Sequence, residues 1–169
     1  MSINLYSFVG MYSKALDTAA HLLGKGVEHA AATGVSEAEM LEWRLIDDMA
    51  PLAFQLMVVT NFTRLWPARA AGLPLPNEVA ADLSVTQFQA AIADAKAYLS
   101  ALTPDQFAGR DEVPLTVSLG TSMEPTLPSG QWITGFATTN IFFHLSTAYA
   151  ILRSRGVQIG KPDLFPSGL

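Results

Sequence analysis

The chain contains no cysteine, which excludes disulfides and thiol catalysis. It has only three histidines, so a metal centre built on imidazole alone would have to use all of them. Charge is scarce: 15% of residues are charged, the formal net charge is −5, and no basic cluster exists. That balance argues against nucleic acid as a partner. No uninterrupted run of about eighteen apolar residues occurs, so a membrane span is not expected. The amino-terminal stretch MSINLYSFVGMYSK lacks the basic start and small-residue cleavage site of an export signal. No G-x-S-x-G elbow is present, no serine has a recognisable base beside it, and a phosphate-cradling glycine loop is missing.

What is present is apolar. Half of the 169 residues are hydrophobic and the mean hydropathy is +0.27. A chain of this length buries one core, so residues 1–169 read as a single domain, cytoplasmic in location. The surplus of apolar surface points to burial against a second copy, a homodimer.

The periodicity is helical. Leu5, Phe8, Val9, Tyr12, Ala15, Leu16, Ala19, Leu22 and Leu23 predict a first helix over 5–30, weakened by Gly24 and Gly26 and closed by Gly34. His21 lies off this stripe and His29 in its last turn, where a solvated histidine suits the helix dipole. Ser36-Glu37-Ala38-Glu39 reads as a capping box opening a short helix to about Leu45. Asp48 then caps a fresh start, because Pro51 suits a first turn; a catalytic carboxylate is the other reading of Asp48. The second long helix is expected from Met49 to about Trp66, with Leu52, Leu56, Val59, Thr63 and Trp66 inward and Trp66-Pro67 ending it. Gln55 stands at the edge of that stripe, where its amide reaches toward a neighbouring helix. Ser84-Val85-Thr86-Gln87 is another capping box, and Val85 through Leu102 keep clean helical spacing. Thr103-Pro104 caps one further turn. Val113, Leu115, Val117 and Leu119 then alternate with polar residues or Pro114, which predicts an edge strand turning at Gly120-Thr121-Ser122 into a second, Met123 to Leu127.

The last helix is the most hydrophobic, from Ser129 as its cap to Ser154-Arg155-Gly156. At about 100° per residue, Ile133, Ala137, Asn140, His144, Ala148 and Ile151 share one face. Asn140 and His144 are one turn apart, flanked by alanines, and form a candidate polar site inside an all-α four-helix bundle with a short β-hairpin before the last helix. The same i, i+4 spacing is used by helical metal ligands, yet a single histidine is not a metal shell. The plain alternative is a core imidazole bonded to Asn140, Gln55 or a backbone carbonyl. The outward Phe142, Ser146, Tyr149 and Arg153 suit a dimer contact or the docking of the hairpin. The acid pairs Glu37/Glu39 and Asp47/Asp48 both lie at helix starts, where acids stabilise.

Asn140-Ile141-Phe142-Phe143-His144, Ala148 through Arg153, Gly156-Val157 and Gly160-Lys161-Pro162-Asp163 resemble a branch of the DinB/YfiT-like superfamily, a bacterial domain of unknown function. Arg44-Leu45, Asp48-Met49, Pro51-Leu52 and Gln55 share in the resemblance. It implies a four-helix bundle, often dimeric, and in many relatives a divalent metal on three histidines, some of them thiol-dependent transferases or hydrolases. By that resemblance His144 occupies the place of the second histidine of an H-x3-H pair and Asn140 the place of the first. The third ligand is due on the second long helix, where the chain has Asn61-Phe62. Asparagine is a poor substitute for imidazole on a transition metal. The expectation is therefore a small-molecule-binding or accessory protein with a degenerate metal site, with Asn140, His144 and Gln55 as ligand-binding residues and no cofactor. The alternative is a metal-dependent DinB-type transferase or hydrolase using His144 as metal ligand or base.

Overall fold

The computed structural model describes residues 4–120 and 122–168. Thr121, in the expected hairpin turn, lies outside them. Helix α1 (Ser7–Thr33) buries Val9, Tyr12, Leu16, Leu22 and Leu23 along one stripe. It ends at Gly34, whose φ of 74° is the left-handed conformation that lets Val35 N–H reach back to the Ala30 carbonyl at 2.9 Å. Gly24 and Gly26 do not fray the helix. Gly26 is buried because Met40 and Leu152 press against it, and a Cβ there would lie 2.9 Å from Met40 Sδ and 3.0 Å from Leu152 Cδ2.

Ser36 accepts the Glu39 N–H at 3.1 Å and opens helix α2 (Glu37–Leu41), which stops four residues short of Leu45. Helix α3 (Leu52–Ala71) departs from the sequence reading at both ends. Its N-cap is the extended Pro51, not Asp48, which is exposed. The first turn is tied instead by the Leu52 N–H to the Trp43 carbonyl at 2.9 Å. Pro67 lies inside α3 and does not end it. Trp66, Pro67, Ala68 and Ala70 are all buried, so packing outweighs the missing amide hydrogen bond until Gly72 closes the helix at φ 70°.

Helix α4 (Val85–Ser100) carries the full capping box, Gln87 N–H to Ser84 Oγ at 3.3 Å and Ser84 N–H to Gln87 Oε1 at 2.9 Å. A 3-10 turn (Pro104–Phe107) packs Phe107 against Tyr6. Strands β1 (Pro114–Thr116) and β2 (Thr126–Pro128) form an antiparallel hairpin with Leu115 opposite Leu127, shorter than the alternation suggested. The hairpin lies on the bundle through Trp132 Nε1–H, which donates to the Leu115 carbonyl at 2.9 Å.

The last rod is α5 (Ser129–Gln131), a π-helical turn (Trp132–Ala137) and α6 (Thr138–Ser154). Ser129 is not its cap; it is fully buried and its hydroxyl donates to the Arg110 carbonyl. The π turn adds one residue to the helical count. Ala148 and Ile151, 1% and 0% exposed, keep the inward positions the spacing gives them. Ile141 and Leu145, 0% and 3% exposed, are buried with them, where the spacing would place Asn140 and His144. Trp132 stacks on Trp66 with centroids 5.2 Å apart, which favours the wide turn by giving the indole a buried neighbour.

The two glycines of α1 give opposite expectations. Gly24→Ala meets open space, so the entropy saved stabilises the fold by about 0.5–1 kcal/mol. Gly26→Leu overpacks the junction of α1, α2 and α6 and costs about 1–3 kcal/mol. Urea titration of both variants against the parent checks the two signs.

Candidate functional site at His144 and Gln55

His144, on α6, is half-buried, and its Nδ1 lies 2.7 Å from Oε1 of Gln55 on α3. Gln55 is 2% exposed. Its amide is oriented by a second bond, because Nε2–H donates to the Ala50 carbonyl at 2.9 Å. A carbonyl only accepts, so the nitrogen faces Ala50 and the oxygen faces the imidazole. The imidazole must then supply the hydrogen, which fixes the neutral ring as the Nδ1–H tautomer. Nε2 is left as a bare lone pair, without a protein partner among the described residues.

Burial lowers the His144 pKa from the ordinary 6.5, which keeps the ring unprotonated at neutral pH. Two phenylalanines supply that apolar surrounding. Phe54, from the first turn of α3, stands edge-on at 5.9 Å between centroids, and Phe143 at 5.1 Å and 87°. Both are partly exposed, Phe143 by 57%. The loop that ends in Ala50 is itself braced by Arg44 Nη1–H to the Met49 carbonyl at 2.7 Å.

Asn140 does not join this pair through a hydrogen bond. Its Nδ2–H donates to the Phe136 carbonyl at 2.8 Å, one turn back in its own rod, where the π turn has displaced the backbone ladder. Asn61 is 3% exposed and holds the backbone of Val79, donating to its carbonyl at 2.9 Å and accepting its N–H at 2.8 Å. The other histidines lie elsewhere. His21 pairs with Asp163 at 2.7 Å, and His29 stands edge-on to Trp43 at 6.2 Å.

A metal held on this chain would need several such donors together. Among the described residues, no group of three or more histidine, aspartate or glutamate side chains is so placed. His144 Nε2 is oriented by the Gln55 bond behind it, but the Asn61 oxygen already accepts from Val79 N–H and Arg64, and Asn140 offers only an amide, held through its nitrogen by the Phe136 carbonyl. The residues present do not fit the three-histidine centre. Phe54, Phe143 and the Asn61 clamp escaped sequence reading, because nothing local marks a phenylalanine as the wall of a site or an asparagine as a loop tie. Gln55 was visible as the one amide at the edge of an apolar stripe.

The lowered His144 pKa gives a signed pH dependence. In the window between the lowered native value and the unfolded value near 6.5, the unfolded chain binds a proton that the native ring refuses. This contribution to stability is full above about pH 6.5 and falls as the solution is acidified through that window. Unfolding midpoints measured across pH 5–8 should drop on the acid side, and the His144→Phe variant should flatten that part of the curve.

The family described as "Domain of unknown function (DUF1993)" matches the chain over residues 5–165. A DinB family member protein from Shewanella denitrificans, known as a crystal structure, superposes with a TM-score of 0.86 at 25% identity, over 95% of this chain and 91% of that one. No curated protein matches the sequence. The bundle, the hairpin before the last helix and the family match over almost the whole length agree, and the chain belongs to the DUF1993 family of DinB-like domains of unknown function.

Proposed function

We propose that the chain is a metal-independent, small-molecule-binding DinB-like domain in which His144 Nε2 is a fixed hydrogen-bond acceptor for the ligand. The observation that carries this reading is the Ala50–Gln55–His144 relay, 2.9 Å and 2.7 Å long, which sets one tautomer of one half-buried ring. A side chain that served only to fill space would not need a buried amide to orient it. Phe54 and Phe143 both stand edge-on to the imidazole and give its surroundings an apolar character, suited to a flat ligand bearing an N–H or O–H group.

The lowered pKa favours a second reading at the same atom, in which Nε2 withdraws a proton as a general base. Gln55 is then the positioning residue. The metal-dependent transferase or hydrolase reading has His144 alone to stand on.

Gln55→Glu separates these ideas. A carboxylate opposite Nδ1–H stabilises the imidazolium, so the His144 pKa rises, as ring-nitrogen NMR across pH 5–8 would record. In the parent the same spectra should show an unprotonated Nε2 at neutral pH. Stoichiometric zinc or nickel uptake that disappears in His144→Ala would overturn the metal-independent reading. Self-association is part of the proposal, since Ile46 and Phe143 are each 57% exposed. Light scattering over a dilution series should give a dimer mass, and Phe143→Asp together with Ile46→Asp should reduce it to the monomer.

A further inference from the structure

A second concavity lies on another flank of the bundle, between α1, α6 and the chain that follows α6. It encloses about 210 Å³. Met11 and Ala15 of α1 and Phe142 of α6 form its walls, and Leu164 and Phe165 its roof. Phe142 and Phe143 are neighbours on α6, one at this cleft and the other beside His144.

The roof is held by specific bonds. Thr18, 4% exposed, donates its hydroxyl hydrogen toward the Leu164 carbonyl at 3.0 Å and the Lys14 carbonyl at 3.1 Å. Asp163 bonds His21 at 2.7 Å through one oxygen and accepts the Gly160 N–H at 2.7 Å through the other. The segment after α6 is anchored further by Val157 and Ile159, 1% and 5% exposed. These bonds hold the strap as far as Leu164, and Phe165, Ser167 and Gly168 beyond it complete the lining.

One cation borders this apolar space. Lys14 contributes to the lining and has no carboxylate partner among the described residues, whereas Lys25 pairs with Glu28 and Lys96 with Asp17. An exposed lysine on the lining of an apolar cleft suits an amphipathic anion, its stem available to the apolar walls and its ammonium to the charge. Size narrows the class. An apolar cavity of roughly 150 Å³ accepts benzene. The present volume therefore suits one ring with a short arm better than a long acyl chain.

We propose that this cleft binds a compact monocarboxylate, its single ring or short alkyl body between Met11, Ala15, Phe142 and Leu164 and its carboxylate on Lys14. The site is independent of the His144 reading, because it shares no residue with it. Phenylpropanoate is a suitable probe, with phenylpropanol as its neutral counterpart and phenylpropylamine as its cationic one. Titration calorimetry should give saturable binding of the acid, with methyl NMR showing the Met11 resonance move in step. Because Lys14 is exposed, the acid should exceed the alcohol by only about two- to five-fold, and the amine should be the weakest. Lys14→Gln should bring acid and alcohol level. Met11→Trp, at a half-buried position on the cleft wall, should fill the cleft and abolish binding of both without lowering the unfolding midpoint. No saturation by phenylpropanoate, equal binding of acid and alcohol to the parent, a preference that survives Lys14→Gln, or affinity unaffected by Met11→Trp would each overturn the assignment.

Discussion

Helix α3 is buried on almost every side, and its polar residues must therefore find partners inside the protein. Fifteen of its twenty residues are buried, among them Gln55, Thr60, Asn61, Thr63 and Arg64. Leaving one such group unpaired costs about 1–3 kcal/mol. The threonines are satisfied within the helix, Thr60 to the Leu56 carbonyl and Thr63 to the Val59 carbonyl, both at 2.8 Å. Asn61, Gln55 and Arg64 reach outside α3, and each then fixes something beyond it. Arg64 donates to Asn61 and to the Asn77 carbonyl, which with the Asn61–Val79 bonds ties down the connection between α3 and α4. Burial of the guanidinium lowers its pKa, and Asp94 and Tyr98 act in the opposite direction. The Tyr98 hydroxyl is the one buried side-chain polar atom without a partner among the described residues.

The same requirement shapes the site. Gln55 has one acceptor to satisfy after one of its two amide hydrogens has gone to Ala50, and His144 is the donor that meets it. The bond that satisfies the core amide also orients the imidazole, and that orientation leaves Nε2 as the group with chemistry to spare. Among the described residues the same distribution of bonds leaves no cluster of histidine and carboxylate side chains around His144. Asn61 stands where the DinB resemblance would have a ligand, but its side chain carries a loop, and Asn140 mends the backbone ladder beside the π turn. Both side chains make hydrogen bonds to the backbone.

Features governed by local chemistry were legible in the sequence, and features governed by packing were not. The glycine at the end of α1, the Ser36 and Ser84 caps and the stripe of α4 depend on residues within one or two turns of each other. The reach of Gln55 toward another helix was also visible, because an isolated amide at the margin of an apolar face has few other uses. Three features depended on distant neighbours. Pro67 continues a helix because Trp66 and Ala68 are buried against other elements. Asp48 does not cap α3 because the Trp43 carbonyl takes the Leu52 N–H. The π turn follows the Trp66–Trp132 stack and the bond from Trp132 to Leu115, and no periodicity count over the last helix contains that information. Leu145 is buried in the core beside His144, which lies on the flank where it meets Gln55.

That flank position decides what the imidazole is able to do. On the axis it would have been enclosed by Ile133, Ala137, Ala148 and Ile151, all 1% exposed or less, with no route for a ligand. On the flank it keeps enough burial for a lowered pKa and enough exposure for Nε2 to be approached. The choice of an amide partner matters equally. A carboxylate on Nδ1–H would pull the ring toward its charged form, in which both nitrogens donate and neither accepts. A neutral amide, itself fixed by a backbone carbonyl, holds the tautomer without adding charge, so burial alone sets the pKa. The result is a ring that accepts through one known nitrogen over the neutral range, which is the property a hydrogen-bond-reading pocket and a general base have in common.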